Sequence, residues 1–426
     1  MAPATSARTF VIGAGLAGLA AATSLGARGF KPVLFEAAGQ AGGRCRSYFD
    51  PVFEGMIDNG NHLVLSGNQA IQAYLTRIGA AAKLSGPAQA RFDFADLKSG
   101  ARWTLVPNEG PLPWWIGSAA RRVPGTSAAD YAAYVKLLFA NRRQTVADVL
   151  PCAGPLWEKL MQPLLLAALN TDPRQASAKL AGAILKETLL RGGRAYRPRI
   201  AMPNLAAAFI DPALDYLKER GADVRLNARL RAITFGRRAA AALEFPDATI
   251  PLSRKDAVIL AVPPWVAREL VPELATPQQF RSIVNGHFHF PAPTHAPAIL
   301  GVTGGTAEWI FSFPDRISLT VSAAEAIVDQ DRDILAGMLW SDVTKALDIS
   351  ASLPPRSIPR WQIVKEKRAT FAATPAEDAR RPLARTGWKN FFLAGDWTDT
   401  GLPATIEGAV RSGETAAALA AKHLAL

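Results

Sequence analysis

Short apolar runs and an Ala- and Leu-rich segment alternate at the start of the chain. Residues 9–12 form a four-residue apolar run, which is typical of a buried parallel strand. The segment 16–28 then has helical spacing and is followed by Gly29, a residue suited to the end of a helix. A second apolar run, 32–35, ends at Glu36. This order of strand, helix and strand predicts a parallel sheet.

The pattern changes in the middle of the chain and then returns. From about residue 69 to 204, segments with helical spacing are separated by turns that contain Pro and Gly. These predicted helices are 128–138, 157–170 and 178–190. From about residue 205, apolar or alternating runs again predict strands. These runs are 223–227, 256–261, 309–321 and 391–394, and a glycine-punctuated helix follows the last of them.

The length of the chain predicts two domains, since 426 residues are more than one hydrophobic core usually organises. The predicted fold class is α/β, with a Rossmann-like nucleotide-binding domain and an inserted α+β substrate-binding domain. We expect the Rossmann-like domain to be discontinuous and to take residues 1–68, 205–265 and 360–426. The inserted domain then takes residues 69–204 and 266–359.

Three glycines with the spacing Gly13-x-Gly15-x-x-Gly18 lie between the first strand and the first helix. Gly13 permits a tight turn, Gly15 lets the backbone approach a pyrophosphate, and Gly18 lets helix and strand pack closely. The helix N-terminus adds free N–H groups and the positive end of its dipole. Glu36, about twenty residues further on, is placed to bond a ribose hydroxyl. These residues predict a dinucleotide site.

The charge of the chain narrows its possible partners. Its net charge of +12 favours anions, such as nucleotides, nucleic acid or an anionic membrane surface. The arginines are spread along the chain without aromatic interleaving, so no nucleic acid is expected. Cys45 and Cys152 are too few for a disulfide framework or a Cys-rich metal site, which suits a cytoplasmic protein without a metal. No apolar run is long enough to predict a transmembrane helix.

Two further segments resemble the amine oxidase and carotenoid desaturase superfamily of flavoproteins. Gly42-Gly43-Arg44 is similar to its second phosphate-binding segment, in which Gly43 and Arg44 approach the FAD diphosphate and ribityl chain. An arginine there is also sensible by itself, because a guanidinium matches phosphate geometry. The run 391–397 is similar to the terminal strand of the superfamily, in which Gly395 and Asp396 meet the ribityl-phosphate portion.

The same resemblance implies the rest of the cofactor site. Thr405 and Ile406 open a helix aimed at the flavin pyrimidine ring, where a helix N-terminus stabilises negative charge. Val224 lies on the strand that contacts adenine through its backbone. Neither cysteine has the C-terminal context of covalently flavinylated amine oxidases, so non-covalent FAD is expected.

Within that superfamily, two segments closely resemble the hydroxysqualene dehydroxylases of bacterial hopanoid pathways. The first is 57–68, where Gly60 and Asn61 are expected along the flavin ring, and the second is 397–413. The resemblance implies removal of the hydroxyl of hydroxysqualene, with hydride from the reduced flavin, to give squalene. The implied partners are a long apolar isoprenoid substrate, an unidentified electron donor and an anionic membrane surface on the cytoplasmic side. A carotenoid or phytoene-type desaturase, a flavin amine oxidase and a non-catalytic FAD-binding or lipid-carrying protein are the alternatives.

Candidate catalytic and membrane residues follow from the same segments. We hypothesise that His62 supplies or relays a proton to the departing hydroxide, with Asp58 as a second candidate, while a structural role for His62 is the alternative. The apolar stretches 112–116 and 161–166 are candidates for lining a polyprenyl tunnel or for plain core. Residues 114–116, followed by Arg121 and Arg122, also have the composition of a membrane-surface anchor.

Overall fold

The computed structural model describes residues 7–349 and 358–425. Its strands, in chain order, are β1 (Thr9–Ile12), β2 (Val33–Phe35), β3 (Ser47–Asp50), β4 (Gly55–Asp58), β5 (Leu63–Leu65), β6 (Leu84–Ser85), β7 (Phe92–Asp96), β8 (Arg102–Leu105), β9 (Pro198–Ala201), β10 (Asp223–Arg225), β11 (Ala232–Phe235), β12 (Ala240–Glu244), β13 (Thr249–Pro251), β14 (Ala257–Leu260), β15 (Phe280–Phe288), β16 (Ile299–Thr303), β17 (Trp309–Ser312), β18 (Ile317–Val321), β19 (Trp361–Phe371) and β20 (Phe391–Leu393). Its α-helices are α1 (Leu16–Ala27), α2 (Gln69–Arg77), α3 (Ala128–Ala132), α4 (Val146–Val149), α5 (Gln162–Leu169), α6 (Ala178–Glu187), α7 (Asp211–Glu219), α8 (Pro264–Leu270), α9 (Arg332–Ala346), α10 (Pro375–Asp378) and α11 (Ile406–Leu424).

A five-stranded parallel sheet contains the first strand, in the order β10-β2-β1-β14-β20. Val11 of β1 lies between Leu34 and Ile259, so the N-terminal β-α-β unit occupies the middle of the sheet. β1 and β14 are buried along their whole length, as expected for parallel strands covered on both faces. The α/β class is confirmed, and the sheet is assembled from three widely separated parts of the chain.

A second sheet has seven strands in the order β19-β15-β18-β17-β16-β7-β8. Neighbouring strands in this sheet are antiparallel, except that β16 and β7 run parallel to each other. Leu335, Leu339 and Val343 of α9 share a core with apolar side chains of this sheet. The sheet places its strands β15 and β18 against the segment that follows β4, which matters for the site described below.

The structure differs from the sequence predictions in two regions. β7 and β8 lie in the stretch 69–204, which was predicted as helical segments. β19 belongs to the second sheet although it lies within 360–426, where the pattern predicted the nucleotide-binding domain. Its mixed polar and apolar pattern suits a strand with one solvated face. The division of the chain into domains stays a prediction.

The predicted helices also begin and end differently. The segment 128–138 is α-helical only as far as Ala132 and continues as a 3₁₀ helix over Ala133–Phe139. The segment 157–170 opens with a π-helical turn, Trp157–Met161, followed by α5. Pro163 lacks the N–H that a regular α-helix would direct at the carbonyl of residue 159, which accounts for the wider turn.

The last helix packs against the first. A Cβ on Gly413 of α11 would lie 2.2 Å from the carbonyl oxygen of Ala17 in α1, so only glycine permits this approach. The contact brings the C-terminal segment beside the N-terminal glycine motif. Among the described helices, none is both long enough and apolar enough to cross a bilayer.

Candidate cofactor site

The N-terminal glycine loop has the geometry of an anion site. Gly13 has a φ of +104°, and its N–H donates to the Phe35 carbonyl oxygen at 2.7 Å. A Cβ on Gly18 would lie 1.8 Å from the Gly13 carbonyl oxygen, whereas a Cβ on Gly15 would meet no described atom within 4 Å. Gly15 is also the N-cap of α1, whose first turn, as described, holds no acidic residue. The N-terminus of α1 therefore faces open space, and no acidic side chain of its own first turn neutralises its positive end.

Glu36 holds this loop in place. One oxygen of its carboxylate accepts from the Ala14 N–H at 2.8 Å, and the other accepts from the Ala38 N–H at 2.9 Å. The Glu36 N–H donates to the Arg225 carbonyl oxygen at 2.9 Å, which places β10 and Val224 beside the same end of the sheet. A carboxylate has further lone pairs, so Glu36 retains capacity to accept from a ribose hydroxyl.

The second glycine segment completes a cradle with the first. Gly42 has a φ of +110°, and its N–H donates to the Ala14 carbonyl oxygen at 2.8 Å. A Cβ on Gly43 would lie 3.4 Å from the Cα of Gly15, so the two loops stand side by side. Arg44 follows directly in a short 3₁₀ turn.

The start and the end of the chain meet at Arg44. Its Nη2 lies 2.7 Å from Oδ1 of Asp396, 352 residues away, and its Nη1 donates to the Ala369 carbonyl oxygen. Burial opposes the charge of Arg44, but Asp396 outweighs it, and the pKa of Arg44 is raised. The N–H of Gly395 donates to the Ser412 hydroxyl of α11 at 2.8 Å, which fixes the turn that carries Asp396.

The helix that begins after Thr405 is capped and linked to α2. The Thr405 hydroxyl accepts from the Gly408 N–H at 3.0 Å, and Ile406 is the first helical residue. Glu407 turns its carboxylate towards α2, where it accepts from the N–H groups of Ala70 and Ile71 at 3.1 and 3.0 Å. Glu407, in the first turn of α11, therefore accepts hydrogen bonds from free N–H groups at the N-terminus of α2.

Asp58 is buried in a set of hydrogen bonds within the protein. Its Oδ1 accepts from the Ser47 hydroxyl at 2.5 Å and from the Leu205 N–H at 2.9 Å. Its Oδ2 lies 3.8 Å from Nη2 of Arg316. Burial raises the pKa of Asp58, although these hydrogen bonds and Arg316 oppose the shift. The carboxylate thus ties β3, β4 and the start of the helical segment at 206 together.

His62 is half-buried close to Arg44. Burial lowers the pKa of His62 to about 4, and the positive charge of Arg44 acts in the same direction. The imidazole is therefore neutral near pH 7, with one N–H to donate and one nitrogen to accept. As a proton donor, it would act through a minor protonated form.

A small cavity joins this segment to the second sheet. Asp58, Asn61 and His62 form its polar side. Apolar side chains form the remainder of its wall: Ile200, Ala201, Leu205, Phe311 and Phe313. Within the described part of the chain, neither 112–116 nor 161–166 contributes to this wall, and Trp115 and Met161 are core residues.

Comparisons with known proteins decide the family. The family described as flavin containing amine oxidoreductase matches residues 16–421. A hydroxysqualene dehydroxylase of Rhodopseudomonas palustris is 52% identical over 410 residues, which cover 96% of this chain and 97% of that protein.

The chain belongs to the hydroxysqualene dehydroxylase family. The resemblance seen in the sequence is thereby confirmed, and so is the class of flavin-dependent oxidoreductase. A phytoene desaturase of Narcissus pseudonarcissus is more distant, at 23% identity over 479 residues, covering 97% of this chain and 79% of that protein. The cyclohexylamine oxidase of Brevibacterium oxydans shares the fold, with a TM-score of 0.74 over 99% of this chain and 100% of that chain at 15% identity.

The cradle of this hydroxysqualene dehydroxylase family member fits a flavin dinucleotide. The open space at Gly15, the adjoining Gly43 and the end of α1 suit a diphosphate. Arg44 and Asp396 supply a cation and an acceptor at the same place. Among the described residues, no group of three or more His, Cys, Asp or Glu side chains could hold a metal ion.

Sequence reasoning missed the buried polar residues that hold the segment 59–62 from behind. Oδ1 of Asn285 in β15 accepts from the Thr320 hydroxyl at 2.8 Å and from the Asn61 N–H at 3.4 Å. The side-chain amide of Asn61 also donates to the Leu319 carbonyl oxygen at 2.9 Å. The signal available in the sequence was a polar residue inside an otherwise apolar run, since a buried amide must find partners.

His287 lies two residues further along β15. Because of this residue, we expect the free energy of unfolding to fall as the pH is lowered. It is fully buried, and burial together with Arg316 lowers the pKa of His287 to about 3. Since its ordinary pKa is 6.5, the unfolded chain takes up this proton first as the pH falls. The stability supported by the neutral ring is complete above pH 6.5 and is lost progressively down to about pH 3, by about 1.4 kcal/mol per pH unit.

Urea unfolding at several pH values measures this slope. His287→Gln is expected to reduce the slope between pH 6 and 4 by about one proton, whatever its stability at pH 8. An unchanged slope in the variant would assign the acid sensitivity to other groups.

Proposed function

We propose that this protein binds FAD non-covalently and converts hydroxysqualene to squalene by reductive removal of its hydroxyl group. The observation that carries the proposal is the identity of 52% with the Rhodopseudomonas palustris hydroxysqualene dehydroxylase, which runs through nearly all of both chains. The non-covalent mode rests on the cysteines. Both are buried, and burial raises the pKa of Cys45 to about 12, so its thiol stays protonated beside the site.

The residues that would hold FAD lie in one cradle. We assign the diphosphate to Gly13, Gly15, Gly18, Gly43 and the N-terminus of α1, the adenosine ribose to Glu36, and the adenine to the backbone at Val224. Arg44, Gly395 and Asp396 are assigned to the ribityl-phosphate portion. Gly60, Asn61, Thr405 and Ile406 are assigned to the flavin ring. The support is geometric, because the two glycine loops adjoin and Arg44 reaches Asp396.

The reaction replaces a carbon–oxygen bond by a carbon–hydrogen bond. A proton added to the hydroxyl lets it leave as water, and an allylic cation remains on the substrate. When bound, reduced FAD supplies the hydride that the cation accepts. The protein must exclude bulk water from the cation, and the apolar wall that faces His62 suits that task. An external reductant, which we leave unidentified, restores the reduced cofactor between turnovers.

Anaerobic mixing tests the activity. The protein with reduced FAD is combined separately with hydroxysqualene, phytoene and a primary amine, while flavin absorbance is followed and the products are analysed by mass spectrometry. Reoxidation by hydroxysqualene alone, with squalene as product, is the expected result. Phytoene and the amine are also mixed with the protein that holds oxidised FAD. Reduction of this flavin by phytoene would indicate a desaturase, and its reduction by the amine would indicate an amine oxidase.

We propose that His62 supplies the proton that departs with the hydroxyl group. We assign to Asp58 a different role, which is to anchor the segment 59–62. Because the pKa of His62 lies at about 4, its protonated fraction grows about tenfold for each pH unit between pH 7 and 5. Turnover is therefore expected to rise as the pH is lowered over this range. His62→Gln should abolish the rise and slow the reaction about a hundredfold with FAD still bound.

Asp58→Asn separates the two candidates. It removes charge from a buried set of hydrogen bonds, so we expect lower thermal stability and a pH profile that still rises in acid. A flat profile in Asp58→Asn together with an unaltered profile in His62→Gln would exchange the two roles.

We also propose that the protein works at the cytoplasmic surface of an anionic membrane, because a C30 hydrocarbon product resides in the bilayer. The net charge of +12 supports this placement.

A further inference from the structure

Large apolar side chains are exposed on three segments of the chain that contact one another. We call this surface the basic apolar face. Trp114 is 61% exposed and Phe139 83% exposed, although each is bulky enough to fill a core position. The face consists of Leu112, Trp114, Val135, Phe139 and Leu190.

Hydrogen bonds connect the first segment to the third. The side-chain amide of Asn108 donates to the Leu112 carbonyl oxygen at 2.9 Å and so shapes the loop before Trp114. The Asn108 carbonyl oxygen in turn accepts from the Gly193 N–H at 2.8 Å. Gly192 packs so closely on this loop that a Cβ there would lie 2.2 Å from the Gly110 carbonyl oxygen. Leu190 is therefore held beside the loop of Leu112 and Trp114.

Packing connects the second segment to both others. Trp115 is buried and lies edge-on to Tyr131 of α3, with 5.5 Å between ring centroids. The chain continues from α3 into the 3₁₀ helix that carries Val135 and Phe139. A Cβ on Gly182 of α6 would lie 2.2 Å from the Leu137 carbonyl oxygen, so this 3₁₀ helix rests on α6, which leads to Leu190. Trp115, which the sequence pattern placed in the anchor, instead supports it from inside.

The segments of the face carry a large share of the positive charge. Residues 109–143 and 186–197 contain nine Lys and Arg but only three Asp and Glu, a net +6 of the total +12. The acidic side chains are engaged locally. Glu109 lies 2.6 Å from Arg197, and Glu187 lies 2.9 Å from Arg191. The guanidinium of Arg121 stacks over the Trp114 ring at 4.8 Å, which places a cation directly beside an exposed aromatic.

We propose that the basic apolar face docks on a bilayer containing anionic lipid. Trp and Phe side chains enter the headgroup boundary, and the surrounding Lys and Arg attract lipid phosphates. The proposal rests on the proposed function in one respect, since an isoprenoid substrate and product require access to the bilayer. The docking itself requires neither catalysis nor substrate.

A second exposed apolar patch lacks the matching charge. Phe49 of β3 and Val52 of the turn between β3 and β4 are 62% and 65% exposed. Glu54 lies in the same turn, and its only cationic contact in the described structure is Arg360. Without an excess of basic residues, this hairpin patch does not complement an anionic surface. It supplies a matched control.

Vesicle flotation tests the proposal with the FAD-loaded full chain. Wild-type protein is expected to float with vesicles of equal parts phosphatidylcholine and phosphatidylglycerol, and much less with phosphatidylcholine alone. Trp114→Ser combined with Phe139→Ser should lower the partition coefficient about tenfold or more. Phe49→Ser combined with Val52→Ser should bind as the wild type does. Flavin absorbance and the melting temperature verify that both exposed-site variants remain folded.

Three results would overturn the docking face. These are unaltered flotation of the Trp114 and Phe139 variant, loss of flotation in the hairpin variant, or equal wild-type binding to both kinds of vesicle. Turnover of hydroxysqualene in detergent micelles separates this proposal from the function. The Trp114 and Phe139 variant should retain wild-type turnover there, and a protein that floats normally yet turns over no hydroxysqualene would contradict the proposed function alone.

Discussion

Gly15→Val is expected to give a folded protein that purifies without its yellow colour. The backbone at Gly15 has a φ of −69°, which any residue adopts, and a Cβ there meets no described atom within 4 Å. The proposed diphosphate of FAD would approach the end of α1 through the same open space. A branched side chain would fill it, so FAD affinity should fall about a hundredfold or more, measured by flavin fluorescence titration.

Substitutions at two other glycines serve as controls. Gly387→Val adds the same side chain at an exposed position with similar open space, and should keep both the fold and the FAD. Gly18→Ala places a methyl 1.8 Å from the Gly13 carbonyl oxygen and should prevent the loop from forming at all. If Gly15→Val bound FAD normally, the diphosphate could not lie at the N-terminus of α1.

Arg381→Met is expected to lower the free energy of unfolding by about 3–5 kcal/mol. Arg381 and Asp378 are almost completely buried, with Nη1 and Oδ1 3.0 Å apart. Nη2 also donates to the carbonyl oxygens of Thr398 and Asp396, at 2.5 and 3.3 Å. Removal of the guanidinium leaves a buried carboxylate without its cation and releases the turn that carries Asp396. Urea unfolding measures the loss, and weaker FAD binding should accompany it.

Adding Asp378→Asn to Arg381→Met should recover part of that stability, because the uncompensated charge is gone. The neighbouring Arg380 is about half exposed and lies 3.6 Å from Glu377. Arg380→Met should therefore cost less than about 1 kcal/mol. Equal losses in the Arg380 and Arg381 variants would contradict the importance of the buried pair.

The local parts of the fold were predictable because their signals lie within a few residues. Residues 9–12, 16–28 and 32–35 carry complete patterns for a buried strand, a helix and a second strand, and the structure places all three there. β19 was not predictable in the same way. Its sequence mixes Lys, Glu and Arg with apolar residues, and it becomes a strand by pairing with β15 over a separation of many residues. The short strand β7 depends in the same way on a distant partner, β16, whereas β8 is an edge strand that pairs with the neighbouring β7.

The same distinction between local signals and distant contacts applies to the candidate site. The turn geometry of Gly13 and the close approach at Gly18 follow from glycine chemistry in the N-terminal motif. The meeting of Arg44 with Asp396 was expected only through family resemblance, because no local pattern relates residues so far apart. Asn285, Thr320 and Arg381 were missed, since their partners are set by sheet register and by the packing of turns. The roles of individual residues towards FAD stay predictions until variants are measured.

The distance along the chain between Arg44 and Asp396 has a consequence for synthesis. A nascent chain emerges from the ribosome N-terminus first, so β1, β2 and the glycine loops are available long before the turn at Asp396 exists. Until β20 arrives, the outer edge of β14 has no neighbour in the parallel sheet. With Asp396 assigned to FAD as proposed, we expect flavin capture to be a late event, and we expect that chains that stop short of residue 396 are not rescued by added riboflavin or FAD.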